Sequence, residues 1–266
     1  MPLPLLQHKL YDAPSAFTPD SLLREARRQK GLDVQNVPAV CVLDPDGDLV
    51  RRLRDDGRAQ IDCSWACYHT DLYRASVDGL ELGLLGCAVG APFAVLVAEE
   101  LFASGCHLLI SITSAGQLVE LRAPPYFVLI EKALRDEGTS YHYMPASVFS
   151  VADPALLSLL DGEFNDIGVA VERGATWTTD APFRETDEAI TAMTTMGLLA
   201  VEMEAAALYA FARARGKAVV CFAHVTNQMG RIEQDFEKGE ADGSVSSLAV
   251  IQRAAAILLP ALTTMG

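Results

Sequence analysis

Residues 200–227, AVEMEAAALYAFARARGKAVVCFAHVTN, decide the fold class of this chain. The part from Glu202 to Gly216 predicts an apolar helix that glycine ends, and KAVVCFAHVT directly after it predicts a strand buried on both faces. A buried helix followed by a buried strand is typical of a layered α/β protein, in which helices cover a central sheet.

The same alternation of strands and helices extends along the rest of the chain. The patterns predict strands at 37–44, 80–90, 107–113 and 167–174, and helices at 19–31, 92–105, 125–138, 153–162 and 244–259. We therefore expect α/β architecture with a central mixed β-sheet flanked by helices. Residues 1–266 form a single domain in this interpretation, with residues 1–36 as an N-terminal extension and helix.

Composition narrows the possible partners. The 266 residues include 21 basic and 35 acidic side chains, which give a net charge of −14. Such a surface repels nucleic acid and anionic membranes, so neither is expected as a partner. The N-terminus has no signal-peptide pattern, the six cysteines show no metal-ligand spacing, and the histidines form no cluster, so we expect a cytoplasmic protein without a metal.

Two glutamates flank Met203 where the helix of the opening segment is predicted to begin. Taken alone, Glu202 and Glu204 are simply charges that complement the dipole at a helix N-terminus. The neighbouring motifs favour a further role for Glu204, while the electrostatic interpretation still covers Glu202.

The segment VEMEAAALYA resembles the signature of the purine-nucleoside and uridine phosphorylase family, whose relatives include nucleosidases. Four more segments resemble family motifs in the same order, namely GDLVR (47–51), GCAVGAPFAVLVAEEL (86–101), TSAG (113–116) and TTDAPFRET (178–186). The resemblance therefore covers most of the chain. It implies a nucleoside phosphorylase-like fold and cleavage of a ribose–base bond through an oxocarbenium-like transition state.

The resemblance assigns the ribose contacts. It implies that Met203 packs on the sugar and that Glu204 accepts hydrogen bonds from its hydroxyls, with Glu204 also favouring the cationic sugar of the transition state. Ser114 falls at a position that contacts phosphate and ribose. His8 falls where the family often has a histidine that reaches the 5′-hydroxyl in a neighbouring subunit's site, although a lone histidine in a polar segment is more often simply solvated.

The phosphate site departs from the family pattern. Gly47, Arg51 and Ser114 match phosphate-binding positions, but two further family arginines fall on Tyr68 and Ser111. Two explanations stay open. Either another arginine replaces the missing cations, or water is the nucleophile and the enzyme is a nucleosidase; the arginines considered for replacement are Arg54, Arg58 and Arg74.

The base site also departs from the purine-cleaving pattern. Asn227 occupies the catalytic position at which purine-cleaving members hold an aspartate, and an amide can donate a hydrogen bond but no proton. This favours a uridine-type base, with Phe183 stacking on the ring and Arg184 and Gln228 binding its polar edge. The alternative is a core aromatic at Phe183 and a surface ion pair between Arg184 and Glu185.

Together these observations predict a nucleoside phosphorylase-like enzyme that needs no cofactor and uses inorganic phosphate as co-substrate. A hydrolytic nucleosidase and a non-catalytic nucleoside-binding protein on the same fold are the alternatives. The family also implies a homo-oligomer built from dimers, such as a hexamer. The acidic segment 235–243, DFEKGEADG, is either a surface loop or a lid over the base.

Overall fold

A mixed β-sheet runs through the molecule in the computed structural model, which describes residues 3–229, 233 and 235–265. Within these residues the strands are β1 Val40–Asp44, β2 Ala59–Ile61, β3 Tyr73–Val77, β4 Leu80–Gly86, β5 Leu108–Gln117, β6 Tyr126–Asp136, β7 Phe149–Val151, β8 Val171–Thr179, β9 Ala200–Glu202 and β10 Ala218–Asn227. The α-helices are α1 Pro19–Lys30, α2 Asp48–Asp55, α3 Ala91–Ala103, α4 Pro154–Leu159, α5 Asp187–Thr195, α6 Ala205–Arg215 and α7 Ser244–Met265. The predicted α/β class with a mixed sheet is confirmed.

Five strands of the sheet close on themselves. The strand order is β10-β6-β8-β9-β5-β1-β4-β3-β2, and β10 also pairs with β5, so β5, β10, β6, β8 and β9 form a ring. The pairing of β10 with β5 is parallel and brings Asn227 opposite Gly116. Because parallel strands end at the same edge, the residues after β5 and β10 lie next to each other.

The opening segment forms the centre of the core. Helix α6 is buried from Ala205 to Ala212, and its alanines let it pack closely on α3 and on β6. Tyr209 ties the helix to the sheet because its hydroxyl donates to the Ile130 carbonyl over 2.6 Å and accepts the Cys221 N–H over 3.1 Å. A buried tyrosine hydroxyl without such partners would be costly.

The predicted helix at 125–138 is wrong. Residues Tyr126–Asp136 form β6, which lies between β10 and β8 with Tyr126 to Ile130 buried throughout. The run YFVLI combines aromatic and β-branched residues, which favour a strand that is covered on both faces. The flanking Pro125 and Gly138 favour helix boundaries in the sequence, but they are equally compatible with the ends of a strand.

Other boundaries also moved. Strand β8 runs from Val171 to Thr179, whereas the pattern predicted a strand at 167–174. The predicted helix at 202–216 begins only at Ala205, because the preceding residues form the short strand β9. Strands β2 and β3 and helix α5 were not predicted, since each is short or largely exposed and carries little periodic signal.

Among the described residues, one helix is long and apolar enough to cross a membrane, and it is the C-terminal helix α7. Its apolar residues contribute to the core, with Val250, Ile251, Ala254 and Leu258 fully buried, and it packs on α2, β1 and β5. A core helix of a water-soluble protein has the same length and composition, so this finding is weak evidence for a membrane span.

Candidate active site

Glu202 is a buried carboxylate that caps a helix. It ends β9 and is only 2% exposed. Its Oε1 accepts hydrogen bonds from the hydroxyls of Thr176 and Thr178, over 3.1 and 2.5 Å, and its Oε2 accepts the N–H groups of Glu204 and Ala205, both over 2.7 Å. These N–H groups belong to the start of α6, so the charge complements the helix dipole from a buried position.

Glu204 lies between the ends of two other elements. Its Oε1 accepts the N–H of Gly90 at the head of α3, and its Oε2 accepts the hydroxyl of Thr113 on β5, each over 2.7 Å. Burial, with the nearby charge of Glu202, raises the pKa of Glu204 to about 7. Each oxygen retains a second lone pair for a ligand hydroxyl, although Glu204 is only 1% exposed and is not itself among the residues that line the neighbouring cleft.

A cleft of about 310 Å³ opens beside these glutamates, at the edge where β5, β9 and β10 end. This volume suits a small ligand. Its wall brings together four of the predicted residues, namely Ser114, Met203, Asn227 and Phe183. The ribose and base positions implied by the sequence therefore meet in one place.

The polar end of the cleft is formed by Ser114 and Asn227. The hydroxyls of Ser114 and Thr226 are 2.9 Å apart. Asn227 is 9% exposed; its Oδ1 accepts the Met229 N–H over 3.0 Å and its Nδ2 donates to the Thr226 hydroxyl over 3.2 Å. These bonds orient the amide and leave one N–H of Asn227 for a ligand.

Of the three predicted base contacts, Phe183 lies on the cleft wall, whereas Arg184 and Gln228 do not. Phe183 lies in a 3₁₀ turn, Pro182–Arg184, and its ring is fully exposed at the mouth of the cleft, so the alternative of a core aromatic is wrong. Arg184 is exposed and Gln228 is half-buried, and neither belongs to the cleft wall. The Gln228 N–H donates to Asp235 over 2.7 Å, which anchors the chain beyond β10.

Sequence reasoning missed Glu185 as a site residue. Its half-buried side chain lies on the cleft wall, and burial raises its pKa to about 7. No ion pair joins it to Arg184 within the described residues. The available signal for this position is the proline of TTDAPFRET, which predicts a turn that ends at Glu185.

Gly47 is the N-cap of α2 and approaches Cys87 closely. Its φ is +74°, and a Cβ placed there would lie 2.8 Å from the Cys87 Sγ. Arg51, one turn into α2, donates to the Asp46 carbonyl over 3.1 Å and forms an ion pair with Asp48, with half of its side chain exposed. The Arg51 guanidinium is therefore engaged by contacts within its own loop and helix.

An acidic pocket lies next to Gly47. Its volume is about 20 Å³, close to that of a single water site, and it is lined by Asp44, Asp46, Asp48, Ser114 and His224 among others. Burial raises the pKa of Asp44 to about 6 and lowers that of His224 to about 4. The histidine is thus neutral at pH 7, and four aspartates, including Asp242, line this pocket.

Lys238 is the cation that reaches this pocket. Its Nζ lies 2.9 Å from Asp46 and 2.5 Å from Asp48. The segment 235–243 therefore folds back over the loop before α2, which the sequence left open between a surface loop and a lid. The sequence did not identify Lys238, because a lysine in an acidic, glycine-containing loop is usually solvated.

The positions of the missing family arginines supply no replacement. Ser111 is 1% exposed, and Tyr68 is on the surface, where its hydroxyl donates to Gln29 over 2.8 Å. Arg54 pairs with Asp55, and Arg74 pairs with the buried Asp62 over 2.7 Å. Arg54, Arg58 and Arg74 lie outside the walls of both the cleft and the acidic pocket.

His8 is an exposed residue of the N-terminal segment. It is exposed, with a φ of +55°, and the adjacent Lys9 contacts His142 over 2.8 Å. It does not belong to the cleft wall of its own chain. No group of three or more metal-ligating side chains occurs in the described part of the chain.

The model of the phosphorylase superfamily matches residues 39–262, which include every element from β1 to most of α7. The chain belongs to the phosphorylase superfamily. This match confirms the family that the motifs indicated, and it covers all the residues that line the cleft.

Relatives of this superfamily member include nucleoside phosphorylases of two kinds. The chain is 29% identical over 197 residues to a guanosine phosphorylase of Halorubrum lacusprofundi. The aligned segment covers 73% of this chain and 80% of the relative. It is 22% identical over 189 residues to a DeoD-type purine nucleoside phosphorylase of Shewanella denitrificans, with 70% and 80% covered. These names describe the activities of the relatives and do not decide the substrate of this chain.

A solved structure shares the fold. The uridine phosphorylase of Vibrio fischeri ES114 superposes with a TM-score of 0.69 at 23% identity, covering 86% of this chain and 95% of that one. At this identity the likeness concerns architecture alone. The fold expected from the sequence is thereby confirmed.

Proposed function

We propose that this superfamily member cleaves the N-glycosidic bond of a nucleoside, with inorganic phosphate as co-substrate and a uridine-type base as leaving group. The observation that carries the proposal is a cleft that collects Ser114, Met203 and Asn227, with the buried Glu204 next to Met203 in the chain and hydrogen-bonded to Thr113, the neighbour of Ser114. In this proposal Met203 packs on the ribose, Ser114 and Glu204 bind its hydroxyls, and Asn227 binds the base.

The preference for uracil rests on Asn227. Its amide can donate a hydrogen bond to a carbonyl oxygen but cannot release a proton to a purine ring. Phe183 at the mouth of the cleft, with Arg184 and Gln228 nearby, would complete the base site by closing over the ligand. The relative named guanosine phosphorylase makes guanosine the first purine to compare with uridine.

The phosphate is proposed to bind near Gly47, Arg51 and Ser114, at the acidic pocket. A second candidate, hydrolysis by water, is favoured by Asp44, Asp46 and Asp48, which would repel a phosphate dianion at this place. Phosphate binding would need Arg51 and Lys238 to leave their aspartate partners. A non-catalytic nucleoside-binding role is the remaining alternative.

The assembly is also part of the proposal. We expect residues 1–266 to act as one domain, with 1–36 as an N-terminal extension, in a cytoplasmic homo-oligomer built from dimers, such as a hexamer. The exposed His8 and the exposed Phe183 ring are the residues that a neighbouring subunit would cover or use. Neither nucleic acid nor a membrane is an expected partner, given the net charge of −14.

Base release from uridine, guanosine, adenosine and cytidine, followed with and without inorganic phosphate, tests the proposal. Phosphorolysis predicts a phosphate-dependent rate that is highest with uridine. An equal rate in phosphate-free buffer would establish the nucleosidase, and a faster rate with guanosine would correct the base. If no nucleoside is cleaved although one raises the melting temperature, the protein is a binding protein.

Glu204→Gln tests the proposed site. Removing a charge that stabilises a cationic transition state costs a factor of about 10²–10³ in kcat. Far-UV circular dichroism should remain that of the parent, because the glutamine keeps the side-chain shape. A control is Glu188→Gln, an exposed glutamate on α5 that should leave the rate unchanged. Unchanged activity of Glu204→Gln would remove the proposed site.

A further inference from the structure

Two carboxyl side chains belong to the described wall of the cleft, and they differ in their surroundings. Glu202 holds four hydrogen-bond donors, from two threonine hydroxyls and two backbone N–H groups. The side chain of Glu185 has no hydrogen-bond or ion-pair partner in the part of the chain that the structure describes. A structural carboxylate is normally satisfied when it is partly buried, so an unpartnered one facing a ligand cavity calls for a ligand.

The backbone on both sides of Glu185 is fixed. Its N–H donates to the Pro182 carbonyl over 3.3 Å and so closes the 3₁₀ turn, and the next residue, Thr186, caps α5 by accepting the Ala189 N–H over 3.2 Å. Phe183 on the same turn is fully exposed, whereas Glu185 is half-buried. The turn therefore presents Glu185 to the cleft and Phe183 to its mouth.

The surroundings of Glu185 favour the neutral carboxyl. The cleft wall contributes Ala115, Val201, Met203, Met229 and Phe236, which offer it no hydrogen bonds from their side chains. Burial in this apolar wall raises the pKa of Glu185 to about 7, so a substantial fraction carries a proton at neutral pH. A carboxyl with a pKa near the working pH is well suited to give up a proton during a reaction.

Several charged groups lie near Glu185, along its own segment and on the other elements of the cleft wall. Arg184 and Asp187 flank Glu185 along the chain, Asp235 and Glu237 flank Phe236, and Glu202 faces it from β9. Of these, Glu202 is saturated with donors, and burial accounts for the raised pKa of Glu185 without a contribution from any of them.

We propose that Glu185 is the general acid that protonates the departing base. This inference rests on the proposed cleavage of a nucleoside. Glu185, in the segment between β8 and α5, would supply the proton that the Asn227 amide cannot give. The C1′–N bond breaks and its electron pair passes to the base, while the carboxyl proton of Glu185 moves to a nitrogen or oxygen of that base. The nucleophile bonds to C1′ and loses its own proton to solvent, and solvent returns a proton to Glu185.

The test compares two leaving groups in the full-length protein. Glu185→Gln should lower kcat/KM for the best nucleoside by roughly 10²-fold or more. It should leave 4-nitrophenyl β-D-ribofuranoside cleaved at close to the parent rate, because nitrophenolate departs without a proton. Glu185→Asp, which keeps an acid on a shorter side chain, should restore part of the nucleoside activity. The matched control is Glu188→Gln, an exposed glutamate on α5 that should leave both rates unchanged.

The pH profile provides a second measurement. An acid that must be protonated gives a limb of kcat/KM that falls as the pH rises through its pKa, near 7 for Glu185. Glu204 acts as the ionised form and gives a rising limb in the same range. Glu185→Gln should therefore abolish the falling limb and retain the rising one.

The other outcomes overturn the inference in distinguishable ways. Equal losses on the nucleoside and on the nitrophenyl riboside would mean that Glu185 holds the ligand and donates no proton. A Glu185→Gln variant with parent activity, or with an unchanged falling limb, would also refute it. If the parent protein releases no base from any nucleoside, the proposed function itself fails, and the role of Glu185 fails with it.

Discussion

The region of the cleft beside β9 and the acidic pocket beside α2 differ in how their carboxylates are stabilised. In the cleft, Glu202 and Glu204 each hold donors from the backbone and from threonines, and both are almost fully buried. In the pocket, Asp46 and Asp48 share the single ammonium of Lys238, and Asp48 also pairs with Arg51. The first region is assembled from hydroxyl and N–H dipoles, whereas the second depends on cationic side chains that are partly exposed to solvent.

This difference indicates which half of the site one chain builds alone. Fixed hydroxyl and N–H donors hold a carboxylate in place without reorganising, which suits a group that must face a cationic sugar. Ion pairs made by long side chains that are half-exposed contribute little to stability and can exchange partners. In the proposed function, the sugar side is therefore the preorganised half of the site, and the anion side is the half that a bound ligand would reorganise.

The largest effect is expected from Glu202→Ala, which would break the preorganised side. The change leaves two threonine hydroxyls and two N–H groups without an acceptor in the core. We expect the free energy of unfolding to fall by about 4 kcal/mol or more, because four buried donors lose their acceptor and each costs about 1–3 kcal/mol. Urea denaturation measures this. Glu188→Ala on the exposed face of α5 should cost less than about 1 kcal/mol.

The next effect concerns how stability depends on pH at Glu204. Its pKa is raised from 4.5 to about 7 in the folded protein, so the folded state binds the proton more tightly than the unfolded state. This contribution is complete below pH 4.5 and is lost as the pH rises through 7. The parent should therefore lose on the order of 2–3 kcal/mol more than Glu204→Gln between pH 4.5 and pH 8.

Unfolding free energies of both proteins at the two pH values measure this difference. Parallel pH dependences of the parent and the glutamine variant would show that Glu204 is ionised throughout, and hence that its donors outweigh burial. Glu204 would then resemble the aspartates of the acidic pocket, which are held by their ion pairs.

Gly47→Ala probes the stability of the loop beside the acidic pocket. The new Cβ would lie 2.8 Å from Cys87 Sγ at a φ of +74°, so strain and overlap combine. We expect a loss of about 2 kcal/mol. Gly57→Ala is the matched control, because Gly57 has a similar φ of +69° and nothing within 4 Å. Thermal unfolding should show a larger loss at Gly47; equal losses would mean that the contact with Cys87 relaxes freely.

The smallest effect is expected from Asp48→Asn, which releases Arg51 and Lys238 from one partner. One negative charge fewer at about 4 Å in a solvated site is worth about 1 kcal/mol, or roughly a fivefold lower KM for phosphate. Initial rates at varied phosphate concentration measure it. A KM that does not change, or a rate that does not depend on phosphate, would show that the pocket does not hold the nucleophile.

Much of the framework could be predicted because it rests on strong local patterns. The buried run of β10, the alanine-rich α6 and the glycine-to-proline start of α3 each follow from periodicity and capping. Strand β6 was mistaken for a helix because a continuous apolar run of that length has no distinguishing period. Its pairing with both β10 and β8 is a long-range property that local propensity does not encode.

For the candidate site, sequence motifs placed Ser114, Met203 and Asn227 on what proved to be one cleft, and the roles proposed for them stay predictions. The sequence did not indicate Glu185 or Lys238, because both lie in polar segments where a charged residue is usually solvated. Their importance depends on what folds against them.

The sequence alone determined the α/β class, the family motifs and the chemical identity of the groups available, because these depend on residue type, spacing and order. Only the tertiary structure decided which charges are buried. It closed five strands into a ring, brought the ends of β5, β9 and β10 together, and turned Glu185 into an apolar wall while leaving Arg184 in solvent. Proton affinity and ligand contact depend on surroundings, and those surroundings are supplied by residues that are distant in the chain.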